Sequence, residues 1–271
     1  MRNLFLTALF ASVSLFAKAQ LFDGIVKDAK TNEPLPYVNV GIIGKAEGTV
    51  TDATGKYSIS FTNHDADSLR ISMIGYKPQA YLVSEFRKSY NSYKTIALQP
   101  DVREIKEVKV SNHKWKQVVL GNTTTSQGTN AGFTSNKLGN EIGTIIKIKK
   151  SPTYLKRFNA SISGDVTDSV MMRLNFYSVE DGLPGKPIQQ ESIFVTVHKG
   201  DKSVSVNLEP YFIVVEDKFI VTLEWIKNSR GHGIMFSAKF LAGSVIARET
   251  SQAKWEKIGI AGMGFNILAE Y

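Results

Sequence analysis

The chain has 271 residues and no cysteine. That absence excludes a disulfide framework, a thiolate metal site, a catalytic thiol and a lipid-bearing cysteine. Histidine is scarce, at four residues: His64, His113, His198 and His232. No two stand at a metal-binding spacing, and no H-E-x-x-H occurs, so no metal and no cofactor is expected. His64 and His232 fall in turn-like sequence and His198 ends a strand before Lys199-Gly200; all three read as exposed loop residues. A nucleophile elbow of the G-x-S-x-G kind is missing. Gly262-Met263-Gly264 lacks the third glycine of a dinucleotide loop. Two S-x-x-K matches, at 111–114 and 251–254, lack the companion motifs of penicillin-binding enzymes. Past residue 20 no apolar run approaches the roughly 20 residues of a membrane span.

What is present begins with a targeting pattern. Arg2 precedes an uncharged apolar stretch over 4–16, and Ala17-Lys18-Ala19 has the form of a cleavage site. This predicts a signal peptide over 1–19 and a mature chain from Gln20. Loss of Arg2 and Lys18, with no acid, lowers the net charge from +8 to +6. The remaining basic residues are scattered, apart from Lys147-Ile148-Lys149-Lys150, so no nucleic-acid partner is expected. That cluster alternates like a strand and reads as a solvated face or a protected edge.

The rest is punctuated β sequence. Segments 25–27, 37–43, 57–61, 69–74 and 94–98 are short, β-branched or aromatic, and separated by Gly, Asn, Asp or Pro. Tyr57-Ser58-Ile59-Ser60-Phe61 alternates strictly, placing Tyr57, Ile59 and Phe61 on one face of an antiparallel sheet. Pro100 ends this series, and 102–110 reads as an exit strand. The polar stretch 122–136 reads as a long loop. Further strands are expected over 144–149, 158–163, 170–179, 193–198, 204–208, 219–226, 234–240 and 264–268. Asp181-Gly182-Leu183-Pro184-Gly185-Lys186-Pro187 reads as a turn or loop. No amphipathic helix is expected. The predicted architecture is all-β: a small immunoglobulin-like sandwich over 20–111, then a jelly-roll-like sandwich over 112–271.

Four blocks in the first half carry a resemblance. They are Asp23-Gly24-Ile25-Val26-Lys27-Asp28, then Pro34-Leu35-Pro36-Tyr37-Val38-Asn39-Val40. Next come Gly48-Thr49-Val50-Thr51-Asp52-Ala53-Thr54-Gly55-Lys56-Tyr57 and Gly75-Tyr76. Their order and spacing resemble the carboxypeptidase regulatory-like domain, a small transthyretin-like β-sandwich. The resemblance covers about 21–110 and implies an exported protein of a Bacteroidetes envelope. Ile105-Lys106-Glu107-Val108-Lys109-Val110 is similar to the strand that leads into a receptor plug. Each block also has a local account. Asp52 and Gly55 suit the first and last positions of a β-turn, so Asp52 reads as a turn cap rather than a calcium ligand.

Chemistry is sparse. Glu224 sits in the apolar strand Phe219-Ile220-Val221-Thr222-Leu223-Glu224-Trp225-Ile226. Both faces of that strand are largely apolar, so it reads as central, and Glu224 needs a buried partner such as Arg173. Glu180 and Asp181 read as turn residues. Trp225 reads as core, whereas Trp115 and Trp255 lie among lysines, as exposed aromatic contacts do. The expected binding residues are Trp115, Trp255, Asp181 and Tyr211. The expected function is an exported, non-catalytic binding or assembly module for an envelope protein or a glycan. It would lie in the periplasm, in peripheral association with the outer membrane, or be secreted, and it would not be a lipoprotein. The alternative is a hydrolase acting on glycan or peptide with acids near the 181–187 loop.

Overall fold

The computed structural model describes residues 20–101, 115–229 and 233–271. The expected signal segment over 1–19, the expected exit strand over 102–110, the expected 111/112 border, the 111–114 motif, His113 and His232 lie outside the described residues. Seven strands and a short helix make the first half. They are β1 (Leu21–Asp28), β2 (Asn39–Ile42), β3 (Gly48–Val50), β4 (Lys56–Ser60), β5 (Ser68–Ser72), β6 (Gln79–Leu82), α1 (Val83–Lys88) and β7 (Thr95–Leu98). One sheet has the order β4-β1-β7 and the other β3-β2-β5-β6. The alternating face places Tyr57, Ile59, Phe61, Leu69 and Ile71 in the core with Phe22, Val26 and Leu98. The Phe22 and Phe61 rings stack at 4.6 Å, and α1 adds Phe86 edge-on to both.

Three features depart from the sequence expectation. β7 pairs with β1 in parallel, not antiparallel, because the chain crosses over through β5, β6 and α1 before returning. α1 is only six residues long, too short to show a helical period in the sequence. His64 is not exposed: its Nδ1 lies 2.7 Å from Asp67 and its side chain is mostly covered. The Asp52 turn is as expected. Asp52 Oδ1 accepts from the backbone N–H groups of Thr54 and Lys56, and Gly55 takes φ +75°.

The second half is a larger pair of sheets. Its strands are β8 (Gln117–Gly121), β9 (Asn130–Gly132), β10 (Glu141–Ile146), β11 (Thr153–Ser163), β12 (Val170–Glu180), β13 (Leu183–Pro187), β14 (Ile193–Val197) and β15 (Ser203–Asn207). They continue with β16 (Val214–Val215), β17 (Phe219–Trp225), β18 (Met235–Phe240), β19 (Val245–Arg248), β20 (Glu256–Ile258), β21 (Ala261–Met263) and β22 (Phe265–Glu270). One sheet runs β13-β12-β17-β10-β19-β20, with β14 also on β12. The other runs β21-β18-β11-β22-β8, with β9, β15 and β16 at its margins. Their facing sides share one apolar core containing Leu174, Phe176, Leu223, Trp225, Phe236 and Phe265. The fold is therefore all-β, with sandwich-like sheet pairs. β17 is central, as its two apolar faces predict.

Two segments differ from their reading. Residues 183–187 form edge strand β13, which tolerates Pro184 and Pro187 because edge positions can spare an N–H. The reversal is confined to Asp181 and Gly182, both at positive φ. The Lys147–Lys150 stretch is no strand, since the chain leaves β10 after Ile146 to reach β11.

The outer face of the β12-β17-β10-β19 sheet is covered by the first half. Tyr37 and Val50 pack with Ile226. Gly41 and Gly48 are register partners on β2 and β3, and together they leave a flat spot. The Ser251 carbonyl rests there: a Cβ would lie 2.3 Å from it at Gly41 and 2.2 Å at Gly48. Beside it, Gln252 Nε2 donates to Ser72 Oγ at 2.9 Å, and Gly44 N–H donates to the Gln252 carbonyl at 2.8 Å. Gly48→Val is expected to separate the two halves while leaving each core intact. Limited proteolysis should then cut near residues 250–253 faster, with little change in the far-ultraviolet circular dichroism.

Candidate functional site

Where the two halves meet, four charged residues stand in one row across four strands. Arg173 on β12 is opposite Glu224 on β17, Glu224 is opposite Glu141 on β10, and Glu141 is opposite Arg248 on β19. Side chains directly opposite in an antiparallel pair point to the same face. The strands that bury Leu174 and Leu223 inward therefore aim Arg173 and Glu224 outward, under the first half.

Two carboxylates side by side repel, and burial removes the water that would screen them. The neighbours supply the compensation. Arg173 donates from Nε at 2.9 Å and Nη2 at 2.7 Å to Glu224 Oε2. Arg248 Nη2 is 2.6 Å from Glu141 Oε2 and 3.8 Å from Glu224 Oε1. Asn175 Nδ2 bridges the two acids, at 2.8 Å from Glu141 Oε1 and 3.0 Å from Glu224 Oε2. The hydroxyls of Tyr177 and Thr222 also donate to Glu141 Oε1. The row is thus neutral in sum. Burial alone would raise the Glu224 pKa, but Arg173 and Arg248 outweigh it and hold the carboxyl below its ordinary range. Burial, then the Glu141 charge, push the Tyr177 phenol well above the tyrosine range.

The row also ties the halves together. Arg173 Nη1 donates to the Tyr37 carbonyl at 2.8 Å. Tyr37 is held at φ +60°, a conformation disfavoured for a bulky residue, and its ring meets Phe194 edge-on at 5.3 Å. Ser251 Oγ donates to Asn39 Oδ1 at 2.9 Å.

Above the row lies a cleft of about 560 Å³. Its floor includes Arg173, Asn175, Tyr177, Glu224 and Arg248, and its walls include Tyr76, Gln190 and Trp255. The Arg248 guanidinium lies 4.7 Å from the Trp255 ring centre, a cation–π contact. Tyr177 meets the same ring edge-on at 5.9 Å. Among the described residues, Arg248 Nε and Glu224 Oε1 are buried and have no hydrogen-bond partner. Charged groups, an amide and a phenol beside an indole ring make a lining that suits a hydroxylated ligand.

The sequence-derived binding residues are not brought together. Trp255 lines the cleft. Asp181 is exposed at the tip of the β12–β13 hairpin, whose residues 184–187 reach the cleft wall. Trp115 lies beside the other sheet, just before β8 and edge-on to Tyr154 at 4.8 Å. Tyr211 packs on the large core in a short 3-10 turn. Glu141, Arg248, Tyr177 and Asn175 were not singled out from sequence. Arg173 and Glu224 were, and they do pair.

Residues 22–110 match the family model described as CarboxypepD_reg-like domain, so this segment is such a domain. The TonB-dependent receptor SusC of Bacteroides thetaiotaomicron is 25% identical over 223 residues, covering 82% of this chain. The chain spans only 18% of that receptor's length. Among solved structures, the cysteine protease and lectin-like domains of Cwp84, a surface layer associated protein of Clostridium difficile, superpose with a TM-score of 0.42. That match has 10% identity over 87% of this chain and 58% of the other. A structure of infectious bursal disease virus, Gx strain, has a TM-score of 0.28 at 8% identity over 92% of this chain and 62% of the other.

The lowered Glu224 pKa sets a pH dependence. A carboxyl depressed on folding stabilises the native state above its unfolded value of about 4.5, and that contribution is lost as pH falls through the folded value. Glu224→Gln leaves Arg173 buried beside a neutral amide. It should cost roughly 3–5 kcal/mol at pH 7 and flatten the acid limb of stability. Urea unfolding across pH 3–7 reads both effects.

Proposed function

We propose that the protein is a non-catalytic binding module of a bacterial cell envelope, and that the interdomain cleft receives a glycan. The carrying observation is the Trp255 ring in the wall of a cleft whose floor includes Arg248, Asn175 and Tyr177. A sugar hydroxyl both donates and accepts, so it suits a lining that offers both kinds of group. An indole ring offers the apolar surface that a sugar's C–H face covers.

The charge pairing favours binding over hydrolysis. A glycosidase needs one of its two acids protonated at working pH. Glu224 is instead held ionised by Arg173 and Arg248, and Glu141 is engaged by Arg248, Asn175, Tyr177 and Thr222. Asp181 and Glu180 lie at the tip of the hairpin whose residues 184–187 line the cleft. We assign Asp181 to the rim of the binding surface. Trp115 and Tyr211, which flank the opposite sheet, are assigned to contacts with an envelope protein. The envelope setting rests on the CarboxypepD_reg-like domain and on the likeness to a TonB-dependent receptor. Among the described residues no helix is long and apolar enough to cross a membrane. On this reading the chain is exported and works at the periplasmic or outer-membrane surface.

The test is a titration of the full chain with a panel of envelope and plant oligosaccharides, followed by tryptophan fluorescence and calorimetry. At least one glycan should bind, and Trp255→Ala should weaken it by about tenfold or more, the order of magnitude of lost aromatic stacking. Unchanged binding in that variant, or no binding across the panel, would contradict the proposal.

A further inference from the structure

One corner of the larger sandwich exposes apolar side chains that the cleft does not use. The chain crosses from one sheet to the other twice at this corner, once between β18 and β19 and once between β20 and β21. The crossings lie side by side. Phe240 is the register partner of Ala261, and the Leu241 N–H donates to the Ile260 carbonyl at 2.8 Å. Val245, at the foot of the first crossing, is opposite Ile258, at the foot of the second. The outward side chains are Phe240, Leu241, Ile258 and Ile260, with exposures of 66%, 79%, 50% and 52%. Loops of this kind are normally polar, and single exposed apolar residues are ordinary, but four on two adjoining turns form a patch. The backbone is bent to present them: Leu241 sits at φ +57° and Gly259 at φ +61°.

Charge surrounds the patch unevenly. Lys239 and Lys257 are exposed beside it, with Glu256 as the nearest acid in sequence. Thr144 Oγ1 donates to the Ser244 carbonyl at the foot of the corner, and three residues further along the chain stands the exposed Lys147. Without residues 1–19 the chain carries a net +6.

We propose that this corner dips into the interfacial layer of an anionic lipid bilayer, holding the protein peripherally on a membrane. A protein partner is the weaker fit. Four partly exposed side chains amount to a few hundred Å² on the order-of-magnitude scale of surface patches. A stable protein interface needs about 800 Å² from each side. A fluid bilayer needs no matching surface, accepts a convex apolar tip, and attracts the flanking lysines to its headgroups.

The experiment is co-sedimentation of the full chain with vesicles of phosphatidylcholine alone or with phosphatidylglycerol. Two patch variants are compared with the parent: Phe240→Asp with Leu241→Asn, and the milder Ile260→Ser. Circular dichroism and thermal unfolding verify the fold. The parent should sediment with the anionic vesicles and bind neutral ones less. The double variant should lose about tenfold or more in partitioning, and Ile260→Ser should lose a smaller share, as the removal of buried apolar surface requires. Lys239→Glu with Lys257→Glu should weaken binding to anionic vesicles only. Three results would overturn the proposal. These are no vesicle binding by the parent, anionic binding equal in all patch variants, or a parent dimer in sedimentation velocity that the double variant abolishes.

Discussion

The row Arg173–Glu224–Glu141–Arg248 is the constraint on which the arrangement turns. It crosses four strands on the sheet face opposite the main core. Buried ions gain little net stability over an apolar row of the same shape, because desolvation offsets most of the attraction. What they impose is register. A slip of one residue on any of the four strands would turn its charge into the Leu174–Leu223 core and leave its partner unpaired. An apolar row would tolerate that slip far better.

The row also explains why the halves meet where they do. Charges on a sheet face must be solvated or covered by polar groups. The first half supplies the cover, through the Tyr37 carbonyl on Arg173 and Asn39 on Ser251. Tyr37 accepts an uncommon backbone conformation to place that carbonyl, and Gly41 and Gly48 surrender side chains to let the Ser251 turn approach. The cover is incomplete, and the gap is the cleft. Strand β19 connects the two features to which binding is assigned. Arg248 at its end forms the cleft floor, and Val245 at its start anchors the apolar corner.

Much of the first half was legible because its turns are written in local chemistry. Asp52 and Gly55 specify a turn on their own, and strict alternation from Tyr57 to Phe61 specifies a face. The pairing of Arg173 with Glu224 was legible for a different reason: a charge in an otherwise apolar central strand demands an opposite one. Glu141 and Arg248 gave no such signal. Glu141 opens its strand next to Asn140, and Arg248 precedes Glu249 and Thr250, so both pass for surface residues. Only the sheet order β12-β17-β10-β19 brings them beside Glu224, and that order is non-local. Strands β3, β9, β16, β20 and β21 were invisible for a related reason: at two or three residues they show no period. Trp255 stood out among its lysines, but its cation–π partner could not be read from sequence.

If the row binds the two halves into one cooperative structure, calorimetry of the full chain should show it. The account predicts a single heat-absorption peak, with calorimetric and van 't Hoff enthalpies that agree. It further predicts that Arg173→Leu with Glu224→Leu, which removes the pair and the bond to Tyr37 together, splits that peak in two. Two peaks in the parent protein, or one undivided peak in the paired variant, would contradict it.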